Sequence, residues 1–261
     1  MSLPVIVVGA GGRMGKTICD MVLENSGLAL AGMVERTEYQ PAVVPVDCVI
    51  SDDLETVVSA CPEDSVIVDF SCPECSLHSA EVAARKKVAL VIGTTGFAAG
   101  QLDQLRAFAE ETPIFWSPNM SVGISVLQKV LPQLVKSLGG DYDVDITEIH
   151  HNRKKDSPSG TALRLGECIA DAKGFDFDKV RTSCRDGIIG PRPKEEIGIM
   201  AVRGGDVVGV HTVYFMGPGE TIEVTHRAES RANFAGGALR AAQWLAGQSA
   251  GKLYSMNDIF A

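Results

Sequence analysis

The stretch Val5-Ile6-Val7-Val8-Gly9-Ala10-Gly11-Gly12-Arg13-Met14-Gly15 decides how the rest of the chain is read. Val5 to Val8 is wholly apolar, as a central parallel strand buried on both faces must be. Glycines at 9, 11, 12 and 15 then break it, and Thr17 to Glu24 reads as a helix with Ile18, Met21 and Val22 on one face. A strand, a glycine turn and a helix in that order are the context in which helix-terminal N–H groups receive a pyrophosphate. Glycine is needed there because the backbone must turn tightly and come close to the phosphates. Leu28 to Val34 is a second strand, ending at Glu35, twenty residues beyond Gly15. A carboxylate at that place accepts hydrogen bonds from an adenosine ribose, and the adjacent Arg36 suits a 2′-phosphate. Both signals coexist, so NADH and NADPH are both expected.

Outward from this stretch the alternation continues. Ser65 to Phe70, Val88 to Ile92 and Pro113 to Trp116 read as strands, with helices at Pro73 to Lys86 and Gln101 to Glu110. Strands alternating with helices imply crossover connections and a Rossmann-like, doubly wound parallel sheet of the α/β class. The loops Gly93-Thr94-Thr95-Gly96 and Ser117-Pro118-Asn119-Met120 each follow a strand, at the carboxyl edge where ligands of such sheets sit. Taken alone, each reads as a connecting loop.

After Trp116 the rhythm changes. Ser121 to Leu138 reads as a helix kinked at Pro132, and Tyr142 to Ile149 as a strand. Lys173 to Glu196, rich in Gly, Pro and charge, reads as a long loop. Ile197 to Val202, Val207 to Phe215 and Thr221 to Arg227 are strands, with Gly217-Pro218-Gly219 turning between the last two. Ile222, Val224 and His226 face one side of the last strand, and Thr221, Glu223, Thr225 and Arg227 the other. The expectation is a second, α+β domain with an open, mixed or mostly antiparallel sheet whose uncovered side suits a subunit contact. Ala232 to Ala246 is helical and returns to the first domain. The domains expected are 1–121 with 231–261 for dinucleotide binding, and 122–230 for substrate binding and oligomerisation.

Within the second domain the run His150-His151-Asn152-Arg153-Lys154-Lys155 puts two imidazoles and three cations into six positions of a chain with a formal net charge of −9. Asp156-Ser157-Pro158-Ser159-Gly160-Thr161 follows and opens an apolar-periodic helix from Ala162 to Ala170. Cations, a proton donor and helix-start N–H groups together suit a small carboxylated molecule that must also receive a proton. An imidazole's ordinary pKa, about 6.5, fits that task near neutral pH. Arg153 and Lys155 read as a solvated face.

Composition bounds the rest. At 261 residues with 45% hydrophobic and 22% charged residues, the chain is long enough for two domains and ordinary for a globular protein. Its acidic balance argues against a nucleic-acid partner. Seven scattered cysteines argue against a disulfide framework. Cys72-Pro73-Glu74-Cys75 is the one CxxC, and without a second ligand pair it reads as incidental, so no metal is expected. No apolar run approaches a membrane span, and Met1-Ser2-Leu3-Pro4 carries no cationic leader, so a cytoplasmic location is expected.

In GAGGRMG at 9–15, VDF-S-x-PE at 68–74, GTTG at 93–96, HHNRKKDSPSGTAL at 150–163 and VRGGDVVGVHTVYF at 202–215, the chain resembles the 4-hydroxy-tetrahydrodipicolinate reductase (dihydrodipicolinate reductase) family. The resemblance runs along nearly the whole chain, in order, and HHxxK…PSGTA is its most specific part. It implies NAD(P)H-dependent reduction of a cyclic dicarboxylate imine in diaminopimelate and lysine biosynthesis. It implies His150 as proton donor with Lys154 as its catalytic partner. It implies His151, Lys154, Ser159, Gly160 and Thr161 as substrate contacts. Gly9, Ala10, Gly11, Gly12, Arg13, Met14, Glu35, Arg36, Gly93, Thr94, Thr95, Ser117, Pro118, Asn119 and Met120 would contact the cofactor. A homotetramer joined through the second-domain sheet is also implied. Cys72 and Met120 depart from the commoner pattern, which often has a larger residue at the first place and Phe at the second. Another two-domain amino-acid dehydrogenase, or a non-catalytic NAD(P)-binding sensor, are the alternative readings.

Overall fold

Val5 and Val7 pack into one apolar core and Ile6 and Val8 into another, and all four are buried. Successive side chains of a strand point to opposite faces, so this sheet is covered on both sides. The computed structural model describes residues 2–36, 38, 41 and 43–260, and the ends of the expected first domain, 1 and 261, lie outside the described residues. In chain order the elements are β1 (Leu3–Val8), α1 (Arg13–Leu23), β2 (Leu28–Val34), β3 (Val49–Ser51), α2 (Leu54–Ala60), β4 (Val66–Asp69), α3 (Pro73–Lys86), β5 (Ala89–Ile92), α4 (Ala99–Ala109) and β6 (Ile114–Trp116). There follow α5 (Val122–Leu138), β7 (Asp143–His150), α6 (Gly160–Lys173), α7 (Phe177–Val180), β8 (Arg181–Thr182), β9 (Ile197–Arg203), β10 (Gly209–Gly217), β11 (Glu220–Ala228), α8 (Ala232–Leu245), β12 (Leu253–Tyr254) and α9 (Met256–Ile259). The chain divides into two compact units, Met1–Val122 with Arg231–Ala261, and Gly123–Ser230.

The first unit is built on a seven-stranded sheet in the order β12-β6-β5-β4-β1-β2-β3, with every pairing parallel. The chain moves outward from β1 through β2 to β3, then crosses to β4 on the other side, so the winding reverses beside β1. Ile18, Cys19 and Val22 of α1 and the alanine-rich face of α8 cover one side. Leu54, Val57 and Val58 of α2, Ala80, Val82 and Ala83 of α3, and Leu105 and Ala109 of α4 cover the other. The doubly wound α/β reading holds, with two differences. Helix α1 starts at Arg13 rather than Thr17, because Gly15 belongs inside it. A Cβ there would lie 2.0 Å from the Gly9 carbonyl oxygen, so only glycine lets the helix sit this close to β1. The segment β3–α2, which apolar periodicity does not mark, is fixed by Asp53, whose carboxylate caps α2 at the N–H groups of Glu55 and Thr56.

The second unit has a five-stranded sheet in the order β11-β10-β7-β9-β8. Strand β10 runs antiparallel to β11 and β7, whereas β7 and β9, and β9 and β8, are parallel, so the sheet is mixed rather than mostly antiparallel. Val144, Ile146, Ile197, Ile199, Val213 and Phe215 face one core with Leu131 and Val135 of α5 and Leu165 and Ile169 of α6. The expected loop 173–196 is partly ordered as α7 and β8. Its remainder is stapled by charge: Arg185 pairs with Asp145 and Glu196, each at 2.6 Å, and Arg192 with Asp143 at 2.9 Å. Polar staples leave no hydrophobic period to read.

Candidate active site

In the first unit the glycine turn leaves β1 at Gly9, in the left-handed region at φ +75°, where glycine is tolerated without strain. Gly12 then caps α1 from extended backbone, and Arg13 and Met14 form the helix's first turn. First-turn N–H groups have no acceptor within their own helix and carry its positive dipole end, so they suit a phosphate. The Glu35 carboxylate sits beside this turn and accepts from the N–H of Gly11 at 2.9 Å and of Arg36 at 3.0 Å. Arg36 is exposed, and Ala10 is fully buried.

The loops after β4, β5 and β6 are tied to each other. Thr94 Oγ1 accepts from the Ser71 N–H at 3.1 Å and from Ser76 Oγ at 2.8 Å, while the Thr94 carbonyl accepts from Trp116 Nε1 at 3.0 Å. Ser71 also donates through N–H and hydroxyl to Asp69, a fully buried carboxyl whose pKa is raised by that burial against the serine hydrogen bonds. Gly93 must be glycine, because a Cβ would meet the Phe70 ring at 2.1 Å. Ser117 Oγ donates to the Asn119 carbonyl at 2.7 Å, and Asn119 Oδ1 accepts from the Ser121 N–H at 2.8 Å. Thr95 and Pro118 are exposed. The side chain of Met120 is only 2% exposed and packs in the core of this unit, so it is a packing group rather than an open contact surface. The glycine cradle, the start of α1 and the exposed Arg36 fit a dinucleotide.

In the second unit the alternation of β7 carries Glu148 and His150 on the face that packs against the core, and both are buried. His150 Nδ1 lies 2.6 Å from Glu148 Oε2. Arg203, in register beside His150 on β9, grips the same carboxylate in a fork, both contacts at 2.7 Å. The Ser159 N–H adds a fourth bond at 2.9 Å. Full burial would raise the Glu148 pKa, but the bonds from His150, Arg203 and Ser159 outweigh it and hold the carboxyl at about 2. An ionised carboxylate only accepts, so His150 carries a proton on Nδ1 and its working nitrogen is Nε2. Gly209 lies across from that edge of the ring, where a Cβ would stand 3.0 Å from Nε2 and crowd it.

The turn after β7 brings up the remaining groups. His151 donates its backbone N–H to the Val207 carbonyl and accepts from the Lys154 N–H. Lys154 Nζ lies 3.0 Å from Asp156 Oδ1, and the Asp156 carboxyl, which burial would raise, is held low by Lys154 and by the Gly160 N–H. An internal carboxylate therefore already occupies the place between the lysine and the start of α6. Ser159 is buried and caps α6 through Ala162 N–H at 3.2 Å, so its hydroxyl serves the helix start; Gly160 and Thr161 follow it as the first helical residues. Arg153 pairs with Asp206 on the surface and Lys155 is exposed, as expected of a solvated face.

His211, on β10, has its ring 5.1 Å from that of His150, and its Nε2 lies 3.1 Å from Ser159 Oγ. Burial, then the proximity of His150, push its pKa down to about 4. It stays neutral at pH 7, so it adds no positive charge to the cluster. Between pH 6.5 and 4 the unfolded chain binds this proton and the folded chain does not, so stability falls as pH drops through that window. Urea titrations at pH 7 and pH 5 should show the wild type losing about 2 kcal/mol more over that interval than His211→Gln. Equal losses would mean that His211 is not buried in its neutral form.

Glu148, Arg203 and His211 were not among the residues expected to act. Glu148 was within reach, lying two residues before His150 and so on the same strand face. Arg203 and His211 reach it only through the sheet register.

The fold and these groups place the chain among nicotinamide-dependent oxidoreductases acting on a small substrate. The family model described as dihydrodipicolinate reductase, N-terminus, matches residues 3–120, and that described as dihydrodipicolinate reductase, C-terminus, matches residues 123–260. The chain belongs to the dihydrodipicolinate reductase family. It is 56% identical over 260 residues to a 4-hydroxy-tetrahydrodipicolinate reductase of Desulfovibrio desulfuricans, covering all of both chains. It is 48% identical over 259 residues to the same-named protein of Lawsonia intracellularis, covering 99% of this chain and 100% of that one. Among solved structures, a dipicolinate-bound dihydrodipicolinate reductase from a Paenisporosarcina species superposes with a TM-score of 0.78 at 23% identity, covering 99% of this chain and all of that one. Among the described residues, no helix is long and apolar enough to cross a membrane.

Proposed function

We propose that this chain reduces 4-hydroxy-tetrahydrodipicolinate to tetrahydrodipicolinate in the diaminopimelate and lysine pathway, with His150 supplying the proton. The observation that carries the assignment of roles is the buried Glu148–His150 pair, clamped by Arg203, one turn away from Lys154 and the start of α6. When bound, the nicotinamide supplies a hydride to the conjugated imine. Gly9, Gly11, Gly12, Arg13 and Met14 would hold its pyrophosphate, Glu35 and Arg36 its ribose end, and the loops at 93–95 and 117–119 its nicotinamide end.

The chain's own residues do the rest. Lys154 and the N–H groups opening α6 take a substrate carboxylate in exchange for Asp156, because a charge-assisted contact with an incoming dianion replaces an equivalent internal one. His150 donates from Nε2 to the substrate carbon while Glu148 keeps Nδ1 protonated and the ring fixed. Loss of that proton leaves a neutral imidazole still hydrogen-bonded to the carboxylate, so the group is ready to be reprotonated from water. Glu35 is shared with the glycine turn and Arg36 is open, which favours acceptance of both NADH and NADPH. The open side of the five-stranded sheet, with Thr221, Glu223 and Arg227 exposed on β11, is the surface we assign to a homotetramer. A cytoplasmic location goes with such a pathway.

The test follows NAD(P)H absorbance with freshly prepared cyclic imine. Oxidation of both cofactors is expected, with kcat/KM values within about tenfold of each other. Lys154→Ala should lower kcat and raise KM for the imine together. Absence of turnover with intact dinucleotide binding would reject the reductase assignment. A defect confined to cofactor affinity in Lys154→Ala would reject its place in the substrate site.

A further inference from the structure

Cys72 and Cys75 are read from sequence as incidental, but the structure brings them together. Cys72 caps the start of α3 and Cys75 lies in its first turn, with Pro73 opening the helix between them. Both are free and exposed, and their sulfurs are 3.0 Å apart. Others differ: Cys19 and Cys48 are pushed up by burial to about 12 and about 11. Among the described residues no third His, Cys, Asp or Glu joins the pair to complete a metal site. The location also matters. Ser71, next to Cys72, donates to Asp69 and Thr94, and its Cβ is 3.6 Å from where a Cβ on Gly9 would stand. The backbone leading into the thiol pair therefore passes beside the glycine turn.

We propose that Cys72 and Cys75 form a reversible dithiol–disulfide couple, closed by exchange with low-molecular-weight disulfides, that weakens dinucleotide binding at the adjacent glycine turn when closed. The effect on binding rests on the dinucleotide reading given above. The Cys75 thiol is held up at about 11 by its bond to Cys72 and by partial burial, so Cys72 is the attacking sulfur. Its thiolate attacks one sulfur of the small disulfide, that S–S bond breaks, and one small thiolate leaves. Cys75 then gives up its proton and attacks the Cys72 sulfur, expelling the second small thiol. Two protein thiols are oxidised and one small disulfide is reduced to two thiols, so the exchange balances. A disulfide requires the sulfurs to close to about 2.05 Å, and the movement is taken up at the Ser71–Cys72 backbone beside Gly9.

The test incubates the full-length protein with glutathione disulfide, quenches with acid, counts thiols under denaturing conditions and maps the peptides by mass spectrometry. The wild type is expected to lose two thiols, with the Cys72–Cys75 peptide two hydrogens lighter and no glutathione retained. Cys75→Ser should stop at a mixed disulfide on Cys72, and Cys72→Ser should stay reduced. Retention of both thiols, or accumulation of the mixed disulfide in wild type, overturns the couple. NADH is then titrated by fluorescence against the reduced and oxidised protein. A rise in Kd of about threefold or more, reversed by dithiothreitol and absent in Cys72→Ser, is expected, and an unchanged Kd overturns the effect on binding. If the reduced protein does not bind NADH, the dinucleotide reading fails and takes the binding effect with it, while the thiol count still decides the couple.

Discussion

His150→Gln is expected to lower kcat by about 10²–10⁴, the range general acid catalysis supplies, with dinucleotide affinity unchanged. Glutamine retains a donor that can reach Glu148, so Arg203 and Ser159 keep their acceptor and the strand end stays packed. What it lacks is a ring proton that can be handed to the substrate. The loss should therefore fall on the chemical step and not on folding. Pre-steady-state mixing of enzyme, NADH and imine separates the two, since binding of the cofactor is read before any turnover. If kcat stays within a factor of two or three of wild type, His150 is not the donor, whatever its position beside Glu148.

Arg203→Met is expected to act on stability as well as on rate. It removes the fork from a carboxylate that is 0% exposed, leaving His150 and the Ser159 N–H to hold a buried charge. Breaking a buried pair from one side typically costs about 3–5 kcal/mol. Arg203 keeps a fifth of its side chain in water and two other donors remain on Glu148, so about 2–4 kcal/mol is the expected loss. That corresponds to a melting temperature lower by roughly 5–15 °C. The sign of the pH dependence follows from the Glu148 carboxyl, held at about 2 against an ordinary 4.5. Its contribution is present above pH 4.5 and disappears as pH falls toward 2. With Arg203 gone the folded carboxyl pKa rises toward 4.5, so the acid-dependent loss should be smaller in the variant and complete at a higher pH than in wild type. Turnover should fall too, because the imidazole loses a fixed anchor. Arg203→Lys restores charge without the fork, and is expected to recover stability more than rate. A methionine variant as stable as wild type at pH 7 would show that Glu148 is not held by Arg203.

Much of the first unit was legible because its signals are local. Four apolar residues, a glycine turn and a helix leave little choice of structure, and the periodicities of Leu28–Val34 and Pro73–Lys86 match the observed elements end to end. Short pieces escaped: β12 has two residues and α9 four, too few for any period to show. In the second unit the strand read to Ile149 and observed to His150, and the helix read from Ala162 and observed from Gly160, were legible for the same reason. The long segment before β9 was not, since Arg185 and Arg192 order it by ion pairs to residues about 40 to 50 positions earlier.

The sequence by itself determined the alternation of the main strands and helices, the glycine turn, the helix that follows the Pro-Ser-Gly-Thr turn and the presence of His150 and Lys154 in one short run. Those are properties of neighbouring residues, set by backbone geometry and side-chain period. Only the tertiary structure decided that Glu148 anchors His150, that Arg203 lies beside it, that His211 is kept neutral, that Met120 turns into the core, and that two thiols meet at the start of α3. These depend on strand register and on burial, which bring together groups up to 63 residues apart and change their electrostatics once water is excluded.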